Sequence, residues 1–197
     1  MENNKSSGLK LVLASASPRR QELLGMFSLP FEVIPARGEE RLPEGLAPGA
    51  AVEALALAKA REVAGRTSPE ALILAADTVV ERDGVLLGKP RSAQEAHGML
   101  RSLSGRAHRV YSGLCLLRGE ERRTAHEVTS VHFRPLSDEE IWAYVRSGEP
   151  MDKAGAYGCQ GKASLFVERI EGDFFNVMGL PLCRLGLMLK ELGVELL

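Results

Sequence analysis

The chain has 197 residues, 45% of them hydrophobic and 26% charged, with 25 basic and 26 acidic residues and a formal net charge of −1. This composition is typical of a globular protein, and the lack of a basic excess argues against a protein that holds long nucleic acid by charge alone. Three separated cysteines without a CxxC pair exclude the patterns of a disulfide framework or a zinc site and predict free thiols.

The polar N-terminal segment is not followed by an apolar signal core, and no apolar run is long enough to cross a membrane. We therefore expect a soluble cytoplasmic protein. A chain of this length can bury a core as a single domain over residues 1–197, with residues 1–8 as a flexible tail, and the domain can contain two small lobes.

Predicted strands and helices alternate through the first half of the chain. The hydrophobic pattern predicts three strands, over residues 9–14, 31–36 and 71–80, and two helices, over residues 18–27 and 50–64. The apolar run from Ala71 to Ala76 is typical of a central strand that is covered on both faces. Asp83 and Gly84 then predict the turn of a hairpin.

The second half continues with two long strands, a short strand and three helices. The predicted strands are 108–119, 122–135 and 164–170, and the predicted helices are 92–102, one that begins after Ser137, and 181–192. Ser137 and Glu140 form the pattern of a capping box. Alternating strands and helices with hairpins predict an α/β class with a mixed sheet, in which residues 137–165 contribute to a second lobe beside a ligand cleft.

The segment SASPRR, residues 15–20, joins the first predicted strand to the first helix. A core strand cannot hold two unpaired arginines, and the free N–H groups at a helix start favour an anion. Ser15 offers a hydroxyl, and Arg19 and Arg20 can make forked contacts with phosphate oxygens. The alternative is a serine-capped helix with exposed arginines.

Two carboxylates are candidate metal ligands. Asp77, followed by Thr78, comes at the end of the apolar run of the third strand, where α/β proteins usually place ligands. It can hold Mg²⁺ or act as a base toward water, and the alternative is a turn cap. Glu39 lies in a polar loop and is otherwise a solvated side chain. Its interest is as a partner of Asp77, because a metal ion takes more than one hard oxygen ligand.

Two lysines and one glycine-rich stretch complete the candidate site. Lys59 lies in the Ala- and Leu-rich helix and Lys89 in the loop GKP, and the alternatives are a snorkelling lysine and a turn lysine. Residues 147–161 carry four glycines, which indicates a backbone that approaches a ligand or takes unusual dihedral angles. Gln160 in that stretch offers an amide that can read a base edge, and a flexible surface loop is the alternative.

Six segments in a fixed order carry a family resemblance: LASASPRRQELL, AADTVV, GKP, LSGRAHRVYSG, SGEPMDKAGAYGCQG and GDFFNVMGLPL. Together they resemble the Maf family of nucleoside triphosphate pyrophosphatases, from about Leu11 to Leu192. The resemblance implies the Maf/inosine-triphosphatase-like α/β fold, an elongated mixed sheet with flanking helices and two lobes around a cleft, commonly as a homodimer. It also implies cleavage of nucleoside triphosphates between the α and β phosphates with a divalent metal cation, Mg²⁺ or Mn²⁺.

The resemblance also implies roles for individual residues. Asp77 matches the proposed catalytic base, and Glu39 and Asp77 are the implied metal ligands. With the interpretation of SASPRR added, the candidate catalytic residues are Asp77, Glu39, Lys89 and Lys59, and the candidate substrate-binding residues are Ser15, Arg19, Arg20, Thr78 and Gln160. The loop DKAGAYGCQG resembles the subfamily that acts on dTTP, UTP and modified pyrimidine forms. Cys159 and Arg37 depart from the family pattern, which has an aliphatic residue and a more acidic run there.

Two other functions stay open on the sequence alone. The older name of the family refers to septum formation and cell-division arrest, so a regulatory protein that binds a nucleotide without cleaving it is one alternative. Binding of single-stranded nucleic acid is the other, although an aromatic content of 5% and the lack of a basic stripe weigh against it.

Overall fold

The computed structural model describes residues 9–38, 43 and 45–196, so the predicted tail of residues 1–8 lies outside the described part. The strands are β1 Leu11–Leu13, β2 Phe31–Val33, β3 Leu72–Arg82, β4 Val85–Leu87, β5 Ala107–Arg118, β6 Glu121–Phe133 and β7 Val167–Glu171. The α-helices are α1 Pro18–Leu24, α2 Pro48–Ala64, α3 Ala93–Leu103, α4 Asp138–Arg146, α5 Phe174–Val177 and α6 Leu182–Glu191.

Within the described residues the strands form a seven-stranded mixed sheet in the order β2-β1-β3-β5-β6-β7, with β4 paired to β3. β1 is parallel to β2 and β3, whereas β3 with β4 and β6 with β7 are antiparallel. The predicted hairpin turn is confirmed, since Asp83 and Gly84 have φ angles of 51° and 82°, as a type I′ turn requires. The α/β class with a mixed sheet and flanking helices is therefore confirmed.

The described chain divides into two compact units. The first comprises the residues up to Asp77, Ser112–Glu127 and those from Gly179 onward, and the second comprises Thr78–Tyr111 and Val128–Met178. A single domain over the whole chain stays a prediction. Among the described residues, no helix is both long and apolar enough to cross a lipid bilayer.

The core of the first unit is built from small side chains of α2 and the sheet. At Gly113 in β5 the helix comes so close that a Cβ would lie 2.4 Å from the carbonyl carbon of Val52. Small residues permit this approach and leave few voids. The buried cluster consists of Val12, Ala14, Ala56, Ala60, Val63, Ala71, Ile73, Ala75, Cys115 and Leu117.

The second unit contains α3 packed against α4 and a cluster of edge-to-face rings. α4 begins with the predicted capping box, in which Ser137 accepts from the Glu140 N–H and the Glu140 carboxylate accepts from the Ser137 N–H. The rings in the cluster are His108, Phe133, Tyr144, Tyr157 and Phe166.

Two segments outside the predicted helices and strands contain short helices. α5 begins after Asp173, whose carboxylate accepts from the Phe175 N–H at 2.8 Å. The stretch 147–161 contains the 3₁₀ turns Glu149–Asp152 and Ala154–Ala156. A third turn covers Lys162–Leu165, so the start of the strand predicted over residues 164–170 is wrong, and β7 begins only at Val167. Such one-turn elements are too short to produce a hydrophobic period in the sequence.

We predict that Gly113→Ala destabilises the protein by about 1–3 kcal/mol, because the added methyl group must push the α2 backbone away from β5. Gly98→Ala in α3 is the matched control, since a Cβ there meets nothing within 4 Å. The control should gain about 0.5–1 kcal/mol from the lower helix cost of alanine. Urea unfolding of both variants measures the two free energies. Equal changes in the two variants would contradict the close packing at Gly113.

Candidate active site

The parallel register of β1 and β3 brings the SASPRR turn beside the middle of β3. Leu13 pairs with Leu74, and the Ala14 N–H donates to the Leu74 carbonyl at 2.7 Å. Two residues beyond this pair, Ser15 lies level with Ala76. Ser15 is buried, with 7% of its surface exposed, so its hydroxyl faces neighbouring groups of the protein.

Asp77 lies inside β3, directly after the apolar run and five residues before the strand ends at Arg82. It lies between Leu74, the last residue paired with β1, and Val80, the first paired with β4. By strand alternation it continues the face of Ile73 and Ala75, which belong to the core under α2. Asp77 is 5% exposed, so its carboxylate needs a partner within the protein.

That partner is Lys59 on α2. Its Nζ donates to Asp77 Oδ1, and the two side chains are only 13% and 7% exposed. Lys59 precedes the core residue Ala60, so the position of the helix on the sheet directs the ammonium group toward β3. The snorkelling alternative is wrong, because the lysine ends on a buried carboxylate and not in solvent.

The two adjacent arginines have different surroundings. Arg20 donates from Nε to the Gly179 carbonyl at 2.8 Å, and from Nη1 to the Ala76 carbonyl at 2.9 Å and to Ser15 Oγ at 3.3 Å. Arg19 is half-buried, and no hydrogen bond or ion pair joins its side chain to another residue in the described part of the chain. Ser17 makes no side-chain cap, so the alternative of a serine-capped helix is not what forms here.

The segment after β2 is connected to α2 and the residues that follow it by hydrogen bonds. Glu62 accepts from the Arg37 N–H at 3.0 Å and from the Arg66 guanidinium at 2.7 Å, and Arg66 also donates to the Pro35 carbonyl at 2.9 Å. The hydrogen bonds from Arg66 and then from Arg37 hold the pKa of the Glu62 carboxyl below its usual value. Glu39, the second predicted metal ligand, lies just beyond the described residues.

The remaining candidates, Thr78, Lys89 and Gln160, belong to the second unit. The Gly155 N–H donates to the Gly88 carbonyl at 3.0 Å, so the GKP loop and the glycine-rich stretch contact each other. Gly155 has a φ of 66°, and a Cβ there would lie 2.7 Å from the Val80 side chain. Lys89 and Gln160 are both exposed.

The glycine-rich stretch is ordered by its own side chains. The Glu149 carboxylate accepts from Tyr144 Oη at 3.0 Å and from the Lys162 N–H at 3.1 Å. A Cβ on Gly161 would lie 2.0 Å from Glu149 Oε1, and one on Gly158 would lie 2.6 Å from Lys153 Cε. Both contacts are with the flexible ends of side chains, so these glycines make room for Glu149 and Lys153. The number of glycines in the sequence does not indicate this packing role.

His108 and Tyr157 anchor the same stretch to β5. Their Nε2 and Oη atoms lie 2.8 Å apart, and both residues are buried. His108 Nδ1 is buried and has no hydrogen-bond partner among the described residues. Burial, with a smaller contribution from the charge of His132, lowers the pKa of His108 to about 4.

We predict a pH-dependent stability from His108. The folded state keeps the imidazole neutral down to about pH 4, while the unfolded chain protonates it below its ordinary pKa of 6.5. The unfolded state then binds more protons, so the free energy of unfolding falls as the pH is lowered from 6.5 toward 4, by up to about 3 kcal/mol. Urea unfolding of the wild type and of His108→Gln at pH 7 and pH 4.5 measures this contribution. Parallel losses in the two proteins would contradict it.

In the first unit the structure thus pairs Lys59 with Asp77 and joins Ser15 to the Ala76 carbonyl through Arg20. In the second unit it joins the GKP loop to the glycine-rich stretch. Cys115 and Cys159 are buried, Cys183 is exposed, and none of the three forms a disulfide within the described residues. Burial raises the pKa of the Cys115 thiol to about 11. In the described ranges, no three His, Cys, Asp or Glu side chains gather as a ready metal site.

Comparison with known proteins gives one family. The model of a family described as Maf-like protein matches residues 10–192. The dTTP/UTP pyrophosphatase of Symbiobacterium thermophilum is 52% identical over 184 residues, 93% of this chain and 94% of that protein. The dTTP/UTP pyrophosphatase of Thermococcus gammatolerans is 53% identical over 187 residues, 95% of this chain and 98% of that protein.

Solved structures share the fold at lower identity. A HAM1 protein from Coxiella burnetii superimposes with a TM-score of 0.51 at 21% identity, covering 93% of this chain and 100% of that one. The Ham1 protein of Staphylococcus aureus gives a TM-score of 0.51 at 14% identity, covering 92% and 98%.

Proposed function

This chain belongs to the Maf family, and on that premise we propose that it is a nucleoside triphosphate pyrophosphatase with a preference for dTTP, UTP and modified pyrimidine forms. The observation that carries the proposal is the nearly buried ion pair between Lys59 and Asp77. A carboxylate and a cation in one low-dielectric position are the groups that phosphoryl chemistry needs. The names of relatives that are about half identical over nearly the whole chain support the substrate class.

In the proposed reaction, Asp77 accepts a proton from the attacking water. The water oxygen bonds to the α phosphorus while the bond from that phosphorus to the bridging oxygen of the β phosphate breaks. Pyrophosphate leaves with the bonding electrons. Lys59, held at the same carboxylate, supplies positive charge beside the phosphate groups as their negative charge redistributes. Arg19 and Lys89 are proposed to bind the phosphate chain, on the basis of the family motifs.

A divalent cation fits the proposed chemistry. Asp77 supplies hard carboxylate oxygens, and Glu39 is the second proposed ligand. Mg²⁺ in such sites is usually held by one or two carboxylates together with substrate phosphates and water, rather than by a cage of protein ligands. When bound, the ion would neutralise phosphate charge and orient the substrate.

We predict that purified protein releases pyrophosphate from dTTP and UTP in the presence of Mg²⁺ or Mn²⁺ and that EDTA abolishes the release. Asp77→Asn should lower kcat by at least about 10²-fold, because an amide cannot take the proton of water. Asp83→Asn is the matched control, since Asp83 is 60% exposed in a hairpin turn. It should leave kcat unchanged. A coupled pyrophosphate assay measures all three proteins.

The same assay distinguishes the regulatory alternative. Near-normal turnover by Asp77→Asn would contradict the assignment of the base. No release from any triphosphate, together with nucleotide binding detected by calorimetry, would contradict the enzyme and favour the protein that binds a nucleotide without cleaving it.

We predict that Gln160 contributes to the choice of base. Gln160→Ala should lower kcat/KM for dTTP and UTP by about 10-fold and reduce their advantage over dGTP and dATP, since one lost hydrogen bond to a base edge is worth about 1–2 kcal/mol. Gln94→Ala on the exposed side of α3 is the control. A uniform loss for all four nucleotides would show that Gln160 does not read the base.

A further inference from the structure

The adjacent arginines of SASPRR, Arg19 and Arg20, have different roles in the proposed active site. The residue types alone make Arg19 and Arg20 equivalent candidates for phosphate contacts, and the family motifs add support for Arg19 only. On an α-helix, neighbouring side chains point about 100° apart, so two consecutive residues rarely reach the same ligand. The hydrogen bonds of Arg20 show where its side chain is directed.

Arg20 joins three segments that are distant in the sequence. Its Nε donates to the Gly179 carbonyl at 2.8 Å, and its Nη1 donates to the Ala76 carbonyl at 2.9 Å and to Ser15 Oγ at 3.3 Å. Gly179 lies in the segment NVMGLPL just before α6, with a φ of 98°. This contact gives that segment a role that the sequence interpretation does not supply.

The Ala76 carbonyl is the important acceptor. It belongs to the planar peptide that it shares with the Asp77 N–H, so a donor held on this oxygen restrains the orientation of the whole unit. The same Nη1 also donates to the Ser15 hydroxyl. One guanidinium nitrogen therefore links the SASPRR turn to the backbone next to the proposed base, Asp77. Charge-assisted hydrogen bonds of this kind are about twice as strong as neutral ones.

We propose that Arg20 is a positioning residue, which restrains the backbone of Asp77 and the hydroxyl of Ser15 by linking them to the Gly179 carbonyl. Of the two arginines, Arg19 alone then binds the triphosphate, as proposed above. The inference rests on the proposed function. It also accounts for arginine at position 20, because the planar fork supplies several donors in fixed directions, and a lysine ammonium cannot reproduce that geometry.

The test compares Arg20→Lys with Arg19→Lys, two variants that keep the charge of the chain. For each we measure kcat and KM with dTTP, and the Kd of dTTP whose α,β-bridging oxygen is replaced by methylene, by calorimetry. Arg20→Lys should lower kcat by about 10²-fold, the size expected for a base misplaced by about 1 Å, with KM and the analogue Kd within about twofold of wild type. Arg19→Lys should raise KM and the analogue Kd by about 10-fold, since it loses a forked phosphate contact.

A second variant guards against a simple folding defect. Arg20→Ala leaves a cavity of guanidinium size, and added methylguanidinium should restore part of its kcat, while ethylammonium at the same concentration should not. If Arg20→Ala does not fold, Arg20→Lys alone decides the test. Its unchanged affinity for the dTTP analogue would show that this variant is folded. A 10-fold weaker analogue affinity in Arg20→Lys with unchanged kcat would overturn the inference. If wild type fails to cleave dTTP, the proposed function fails; if wild type cleaves it and only this pattern is absent, the positioning role alone fails.

Discussion

The central interaction of the first unit is the ion pair between Lys59 and Asp77, whose side chains have little exposure to solvent. Taking two charges out of water costs several kcal/mol for each ion, and their attraction repays that cost only when the geometry is good. Such a pair adds little stability compared with an apolar pair of the same size. In the proposed reaction its value is chemical, because it keeps a carboxylate and a cation together at a position with little solvent exposure.

The surroundings of the pair explain how it is positioned. α2 is rich in alanine, and Gly113 lets its backbone approach β5, so the helix lies lower on the sheet than larger side chains would allow. β3 leaves its parallel partner β1 and takes up β4 farther along, and Asp77 lies between these two pairings. The close approach of α2 brings in the ammonium group of Lys59. Asp77 occupies the part of β3 between its pairing with β1 and its pairing with β4.

The glycine-rich stretch of the second unit follows a different logic. Its glycines make room for Glu149, Lys153 and Val80, and its carbonyl and amide groups are bonded within the unit. Contacts of this kind restrict the backbone of the stretch before any ligand arrives, which lowers the ordering cost of binding. An exposed amide such as that of Gln160 is then carried on a prepared backbone rather than on a mobile one.

Much of the secondary structure of this protein can be predicted from its sequence, because it depends on local chemistry. Three features depend on residues only a few positions apart: the apolar run of β3, the Asp83-Gly84 turn and the capping box at Ser137. The sequence predicts each of them correctly as a strand, a hairpin turn and a helix start. The six ordered segments likewise identify the family without any coordinates.

Only the tertiary structure decided how these pieces meet. The sequence does not show that Lys59 ends on Asp77, because that contact depends on the depth of α2 on the sheet. It does not show what Arg20 contacts, because two of its acceptors lie 56 and 159 residues away. Local periodicity determined which residues form helices and strands, whereas strand register and helix packing decided which polar groups share a buried space.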